Sequence, residues 1–235
     1  MKTKELYLWQ MINIKKSLYI FYSIIYAIYV VSFLISKISG DIHVGGMGVS
    51  SGVFMLVTGI VFFGETFKFG LCNGVSRKTI IVTQVVTLLS LSLAMTLIDT
   101  INAWLFSLIV DVNDTSGFYA FYHSKNVFEL ILWTFGIYLL FGTIGHFIAT
   151  LNSRLTKFMK MLVYIPISVL LVVGLPLGIS VLSASAKETL FKFISNVFTY
   201  LKASPYNMML VAIIIAVIVY LLSILLVRKA PLKTV

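Results

Sequence analysis

The residues of this chain that could do chemistry are few, and each stands in or beside apolar sequence. Glu65, Asp99, Glu129 and His146 are ionisable groups next to hydrophobic runs, where a charge costs about 3 kcal/mol or more unless it is paired or wet. Glu65 is one turn from Lys68 and close in sequence to Arg77 and Lys78. Its ordinary role is an ion-pair network; its chemical one is a proton site. Asp99 lies 20 residues after Thr79, about 30 Å along a helix, which predicts a wet position at the outer interface, with a cation site as the chemical alternative. Glu129 opens an apolar run, where an acid favours a helix N-terminus. Of the three histidines, His43, His123 and His146, only His146 falls inside such a run, and it reads as a hydrogen-bonded packing residue. Tyr19, Tyr22, Tyr26 and Tyr29 follow i, i+3, i+7, i+10 and point towards Phe33, a single helical stripe. A tyrosine hydroxyl at mid-depth needs a partner, so Tyr22 and Tyr26 should face another helix or a polar pathway rather than lipid.

No catalytic set accompanies these groups. The stretch nearest to a nucleotide-binding G-x-x-x-x-G-K-[ST] loop, Gly70 to Thr79, has Arg77 where the second glycine belongs. An H-E-x-x-H zinc pair and a G-x-S-x-G nucleophile elbow are missing. A single cysteine, Cys72, excludes an intrachain disulfide, and no Cys/His cluster has metal-ligand spacing. The expectation is therefore a chain without catalytic residues, bound metal or cofactor of its own.

The elements that position these residues are membrane spans. Of 235 residues, 60% are hydrophobic and 11% charged, with a mean hydropathy of +1.03, well above the roughly 45–50% apolar content of soluble domains. Six runs reach the length of about 20 apolar residues that a bilayer requires: Ser17 to Ser36, Ser50 to Phe67, Ile80 to Leu108, Phe128 to Leu151, Met161 to Leu182 and Met208 to Val227. An all-α polytopic membrane protein in one transmembrane domain, residues 1–235, is predicted. The first run follows Lys15 and Lys16 but no A-x-A cleavage site follows it, so it reads as a retained span and not a signal peptide.

With the N-terminus inside, only Lys37, Lys125, Lys187, Lys192 and Lys202 of the 18 basic residues fall outside, which predicts two cytoplasmic termini. The net charge of +10 reads accordingly as topology and lipid-headgroup contact, not nucleic-acid binding. Residues 4–15, with Leu8, Trp9, Met11 and Ile12 near one side, predict an interfacial helix lying on the membrane. Residues 67–79 form a basic cytoplasmic turn with Gly70 and Gly74 for turning and Ser76 as N-cap. In residues 183–207, Leu190, Phe193, Ile194, Val197, Phe198 and Leu201 predict an amphipathic outer helix ended by Pro205. Within span five, Gly174 and Gly178 bracket Pro176, after Pro166, a small-xxx-small pair suited to close helix contact and a kink.

Taken together, the interfacial segment, six spans, basic turn after span two and amphipathic outer segment resemble the permease subunit of ABC transporters of the type 2 exporter class. The sharpest local element is Phe67-Lys-Phe-Gly-Leu-Cys-Asn-Gly-Val-Ser-Arg-Lys-Thr-Ile80, similar to the G-x-S-R-K segment of small bacterial permeases of that class. The resemblance implies a separate P-loop ATPase, in two copies, that binds ATP and Mg. It also implies a second permease subunit, identical or related, with the pathway at the dimer interface near spans one, two and five. It places a coupling helix at Phe67 to Lys78, where Arg77 and Lys78 offer charged grips and Phe67, Phe69 and Leu71 apolar anchors, with Lys68 and Glu65 also assigned to the coupling to the ATPase. Tyr22, Tyr26, Tyr29, Gly174 and Gly178 become candidates for the pathway or dimer interface. The implied setting is the plasma membrane of a bacterium and the cargo hydrophobic or amphipathic, such as an antimicrobial peptide, toxin or drug. The competing readings are a substrate-binding membrane component of an importer, an ion-coupled carrier, for which buried acids and repeats would be required, and an intramembrane protease, which would need paired acids at mid-depth.

Overall fold

The computed structural model describes residues 3–39, 47–107, 118, 121–122, 126–170 and 183–228. Every element among them is an α-helix: α1 Thr3–Ser39, α2 Met47–Cys72, α3 Arg77–Ser107, α4 Val127–Arg154, α5 Lys157–Val169, α6 Ala184–Ala203 and α7 Pro205–Arg228. Five of them, α1 to α4 and α7, are long and apolar enough to cross a membrane, the make-up of a multi-pass membrane protein. The second half of the expected fifth span, with Gly174, Pro176 and Gly178, lies outside the described residues, as do His43 and His123.

The helices pack with definite polarity. Contacts between α1 and α3 join Gln10 to Thr87, Tyr22 to Asp99 and Tyr26 to Asn102, a near-constant offset that makes the two helices parallel. Likewise α4 and α7 are parallel, since Gly136 meets Met209 and Arg154 meets Leu226. Helices α2 and α4 run parallel, Ser51 lying beside Tyr138 and Phe63 beside His146, and they cross at glycines: a Cβ added to Gly59 would lie 2.3 Å from the Gly142 carbonyl oxygen, and one on Gly145 would lie 2.1 Å from that of Leu56. Without side chains there, the two backbones touch.

Residues 4–15, expected as an interfacial helix, are continuous with the helix that follows them. They are the first turns of the continuous α1, and their inward face is Leu6, Gln10 and Ile14, all buried. The physical reason is Gln10: its amide donates to Thr66 Oγ1 at 2.7 Å and accepts from the Thr87 hydroxyl, bonds that hold this segment against α2 and α3. Leu6 then joins Phe63, Phe67, Val75, Ile80, Ala149 and Val227 in a core cluster at one end of the bundle. That cluster gathers the beginning of α1, the α2–α3 turn and the ends of α4 and α7.

At the opposite end, Tyr122 donates to the Leu201 carbonyl at 2.6 Å, and Trp133 Nε1 to the Met208 sulfur at 3.1 Å. These bonds tie α4, through Trp133, and Tyr122, ahead of it, to the α6–α7 junction. Helix α6 starts at the N-cap Ser183 and carries an exposed Lys192–Glu188 ion pair at 2.8 Å, while Pro205 opens α7, where its missing N–H is harmless. The apolar side of α6 stays open, Phe193 being 68% exposed.

Candidate functional site: a buried polar seam and a capped turn

Along α3, Thr83, Gln84, Thr87, Ser92, Thr96, Asp99 and Asn102 are all buried. They occupy the side of α3 opposite its exposed aliphatic residues, and 19 residues at about 1.5 Å each carry that side through roughly 29 Å, close to the hydrocarbon thickness of about 30 Å. The apolar residues of α3 that face outwards, Val82, Val86, Leu89, Leu93 and Leu97, are exposed. Thus the helix turns its polar stripe inwards and its aliphatic one outwards, the reverse of a helix in water.

Three layers of side chains meet this stripe. In one, Gln10 bridges Thr66 and Thr87. In the next, His146 Nε2 and Gln84 Oε1 are 3.0 Å apart, with the Phe63 ring edge-on to the imidazole and the Tyr220 ring 5.2 Å away. The expected packing role of His146 is what its surroundings show. A void of ≈ 10 Å³ adjoins it, bounded by Thr58, Gln84 and Thr87. That is about one water in size, and Gln84 Nε2 and His146 Nδ1 have no hydrogen-bond partner.

The third layer corrects the reading of Asp99. It is 7% exposed, not wet: Tyr22 donates to Oδ1 at 2.9 Å and Tyr138 to Oδ2 at 2.5 Å. Counting residues along α3 could not show that α1 and α4 close over it. Tyr26 donates to Asn102 Oδ1 at 2.6 Å, one turn further on. Tyr22 and Tyr26 therefore face another helix, as expected, and Tyr29 also lies near Asp99. Tyr19, 73% exposed, leaves the stripe. Glu129 sits in the first turn of α4, where Asn126 caps the helix by accepting from the Phe128 N–H at 3.1 Å.

The α2–α3 turn is shorter than the sequence suggests. Helix α2 runs on to Cys72 and α3 begins at Arg77, so Phe67 to Leu71 are helical. Gly74 (φ +69°) reverses the chain in a conformation that glycine adopts without strain. Around it, the N–H groups of Asn73, Gly74 and Val75 bond back to Phe69, Leu71 and Gly70 at 3.1, 3.1 and 2.9 Å. Ser76 caps α3, its hydroxyl accepting from the Thr79 N–H at 3.2 Å, as expected. Lys68 and Lys78 are exposed and Arg77 half-buried.

Two of the expected anchors are occupied internally. Phe67 is buried and stacks on Phe63, ring centroids 5.3 Å apart, and Phe69 lies flat on Trp9 at 4.1 Å. Glu65 is exposed and makes no ion pair among the described residues, so the expected charge network is not formed there. On a helix, position 65 points away from the face that carries Phe63 and Phe67.

No family model, curated protein or solved structure matches this chain. The functional reading therefore rests on the geometry of the molecule itself. Sequence reasoning missed Gln10 and the hydroxyl and amide residues of α3 because it weighed ionisable groups singly. The signal was present as their helical spacing inside an otherwise aliphatic run. Between α3, α4 and α7 there is also an apolar cleft of ≈ 210 Å³, lined by Val85, Leu88, Leu139, Ala216 and Tyr220.

Proposed function

We propose that this chain is the permease subunit of an ATP-driven type 2 exporter, working with a separate P-loop ATPase. The observation that carries the reading is the α2–α3 turn: a capped connection flanked by exposed Lys68 and Lys78 and mounted on a core to which α1, α2, α3, α4 and α7 all contribute. Because a packed core deforms little, a push on this turn would displace five helices together. Arg77 and Lys78 are the grips for the ATPase, with Lys68 and Glu65 beside them. Phe67 and Phe69 stiffen the support behind the turn.

The remaining parts of the reading have their own supports. Parallel packing of α4 and α7 requires the intervening chain to return across the membrane, which favours a sixth span within residues 157–182, begun by α5. The common cluster of Leu6 and Val227 favours both termini on the side of the turn, which the lysine and arginine distribution makes cytoplasmic, in a bacterial plasma membrane. The assembly has two permease subunits, identical or related, and two ATPases that hold ATP and Mg. Tyr29, Gly174 and Gly178 remain candidates for the interface between the permeases. An aromatic α1 and an apolar cleft suit a hydrophobic or amphipathic cargo such as a peptide, toxin or drug. The enclosure of Asp99 favours one second reading, an ion-coupled carrier.

The test is to reconstitute the chain with its ATPase in vesicles and compare ATP hydrolysis and cargo export with the Arg77→Glu, Lys78→Glu double variant. Loss of association and of both activities in a folded variant supports the coupling role. Unchanged association and hydrolysis would remove it.

A further inference from the structure

Asp99 is a carboxyl in the bundle interior that no step of ATP-driven transport requires. Its two oxygens are approached from different helices, Oδ1 by Tyr22 of α1 at 2.9 Å and Oδ2 by Tyr138 of α4 at 2.5 Å. The groups facing it are, from α1, Tyr22, Tyr26 and Tyr29; from α2, Ser51; from α3, Thr96 and Asn102; and from α4, Tyr138. None is basic, and among the described residues no lysine, arginine or histidine pairs with the carboxyl. An uncompensated carboxylate at this depth is costly. The site therefore calls for one unit of positive charge.

The same layer holds a spare hydrogen-bonding group. Ser51 is fully buried on α2 beside both Asp99 and Tyr138, near enough for its hydroxyl to interact with either, but it meets neither in good hydrogen-bond geometry. A buried hydroxyl left over costs about 1–3 kcal/mol, so its position beside the carboxyl needs a reason. Adding a proton to Asp99 supplies one. With the carboxylate ionised, both tyrosines donate to it and Ser51 keeps only a poorly aligned contact with it. With Oδ2 protonated, the carboxyl O–H donates to the Tyr138 oxygen, and the Tyr138 hydroxyl turns from Oδ2 to the Ser51 oxygen. Tyr22 donates to Oδ1 in both states, and in the second the carboxyl, both tyrosines and Ser51 are all paired.

We propose that Asp99 is an exchangeable proton-binding site whose loading hands the Tyr138 hydroxyl from α3 to α2. The occupant is a proton and not a metal ion, because both oxygens already carry O–H donors at hydrogen-bond distance. No group of three metal-ligating residues occurs among the described residues either. The reach of the proton follows the stripe: Thr96 and Ser92, with unpartnered buried hydroxyls, continue α3 on one side. On the other side stands Asn102, with the half-exposed Tyr26. Because Tyr22, Ser51 and Tyr138 belong to α1, α2 and α4, proton loading changes how α3 is held to its neighbours. The site serves an exporter subunit and a carrier equally, so it stands or falls apart from the coupling role of the turn.

The experiment is infrared difference spectroscopy of the full chain in lipid vesicles, with aspartate carboxyls isotopically labelled, as the bath pH is stepped in both directions. The expected result is a protonated-carboxyl band that carries the isotope shift, comes and goes reversibly with pH, and disappears in Asp99→Asn. Tyr138→Phe, which keeps the carboxyl and the fold's shape, should move that band by removing its hydrogen-bond partner, and Ser51→Ala should move it too. Absence of an Asp99-dependent band at every pH, or a band that never changes with pH, overturns the proposal. So does a band that responds at constant pH to replacing sodium with choline, which would make the occupant a metal ion.

Discussion

Substituting Gly145 by alanine tests the packing on which the whole bundle depends. A Cβ built there lies 2.1 Å from the Leu56 carbonyl oxygen, 3.0 Å from the Leu56 carbonyl carbon and 3.2 Å from the Ile60 nitrogen. All three obstacles are backbone, so no side chain can swing away. Restoring even the 3.0 Å below which Cβ contacts are essentially unknown requires α2 and α4 to separate by about an ångström. Overpacking of this kind costs about 1–3 kcal/mol, and a backbone obstacle belongs near the top of that range. In the same chain Gly64→Ala is the control, because nothing lies within 4 Å of its added methyl group and alanine gains up to about 1 kcal/mol of helix propensity. The assay is thermal unfolding of each full-length variant in one detergent, followed by circular dichroism. At about 2–4 °C per kcal/mol for a chain of this size, Gly145→Ala should melt roughly 4–10 °C below wild type and Gly64→Ala at or above it. If the two variants melt together, the close α2–α4 crossing is wrong.

Three further outcomes follow from the same contacts. Gln10→Ala strands the Thr66 and Thr87 hydroxyls in the interior, a cost of about 1–3 kcal/mol. Hydrogen exchange over residues 3–14 should accelerate while that of α4 does not; unchanged exchange would mean that Gln10 does not hold α1. Tyr26→Phe loses one interhelical hydrogen bond, worth about 0.6 kcal/mol in a membrane bundle. Tyr22→Phe should cost more in the same melting assay, since it leaves Asp99 with a single donor, and equal costs would contradict the enclosure described here. Gly74→Ala forces a side chain into the left-handed region at φ +69° and should lower stability by about 1–2 kcal/mol, more than Ala replacement of the exposed Asn73.

The apolar runs made the helical class and five membrane-length helices legible, because a 20-residue hydrophobic window has few other uses. Ser76 and Gly74 were legible too, since capping and chain reversal are local chemistry. Tyr22 and Tyr26 could be assigned a helix partner from depth alone, but not Asp99 and Asn102 as the partners. Which faces meet is a tertiary matter: Gln10 reads as the polar edge of a surface helix until Thr66 and Thr87 stand opposite it. Asp99 reads as wet by rise per residue until α1 and α4 cover it. Phe67 looked available because the end of α2 was placed five residues too early, at Phe67 instead of Cys72. The glycines that mediate the tight helix contact, Gly59, Gly142 and Gly145, have ordinary spacing and became informative only as a facing pair of helices.

The central claim, a permease subunit driven through its α2–α3 turn, is tested most directly by mild-detergent isolation of the tagged chain from its native membrane, with intact-mass identification of what remains bound. The account predicts a P-loop ATPase in equal stoichiometry, lost from the folded Arg77→Glu, Lys78→Glu variant. Repeated recovery of the folded chain alone, or of an ATPase whose binding ignores those two charges, would contradict it.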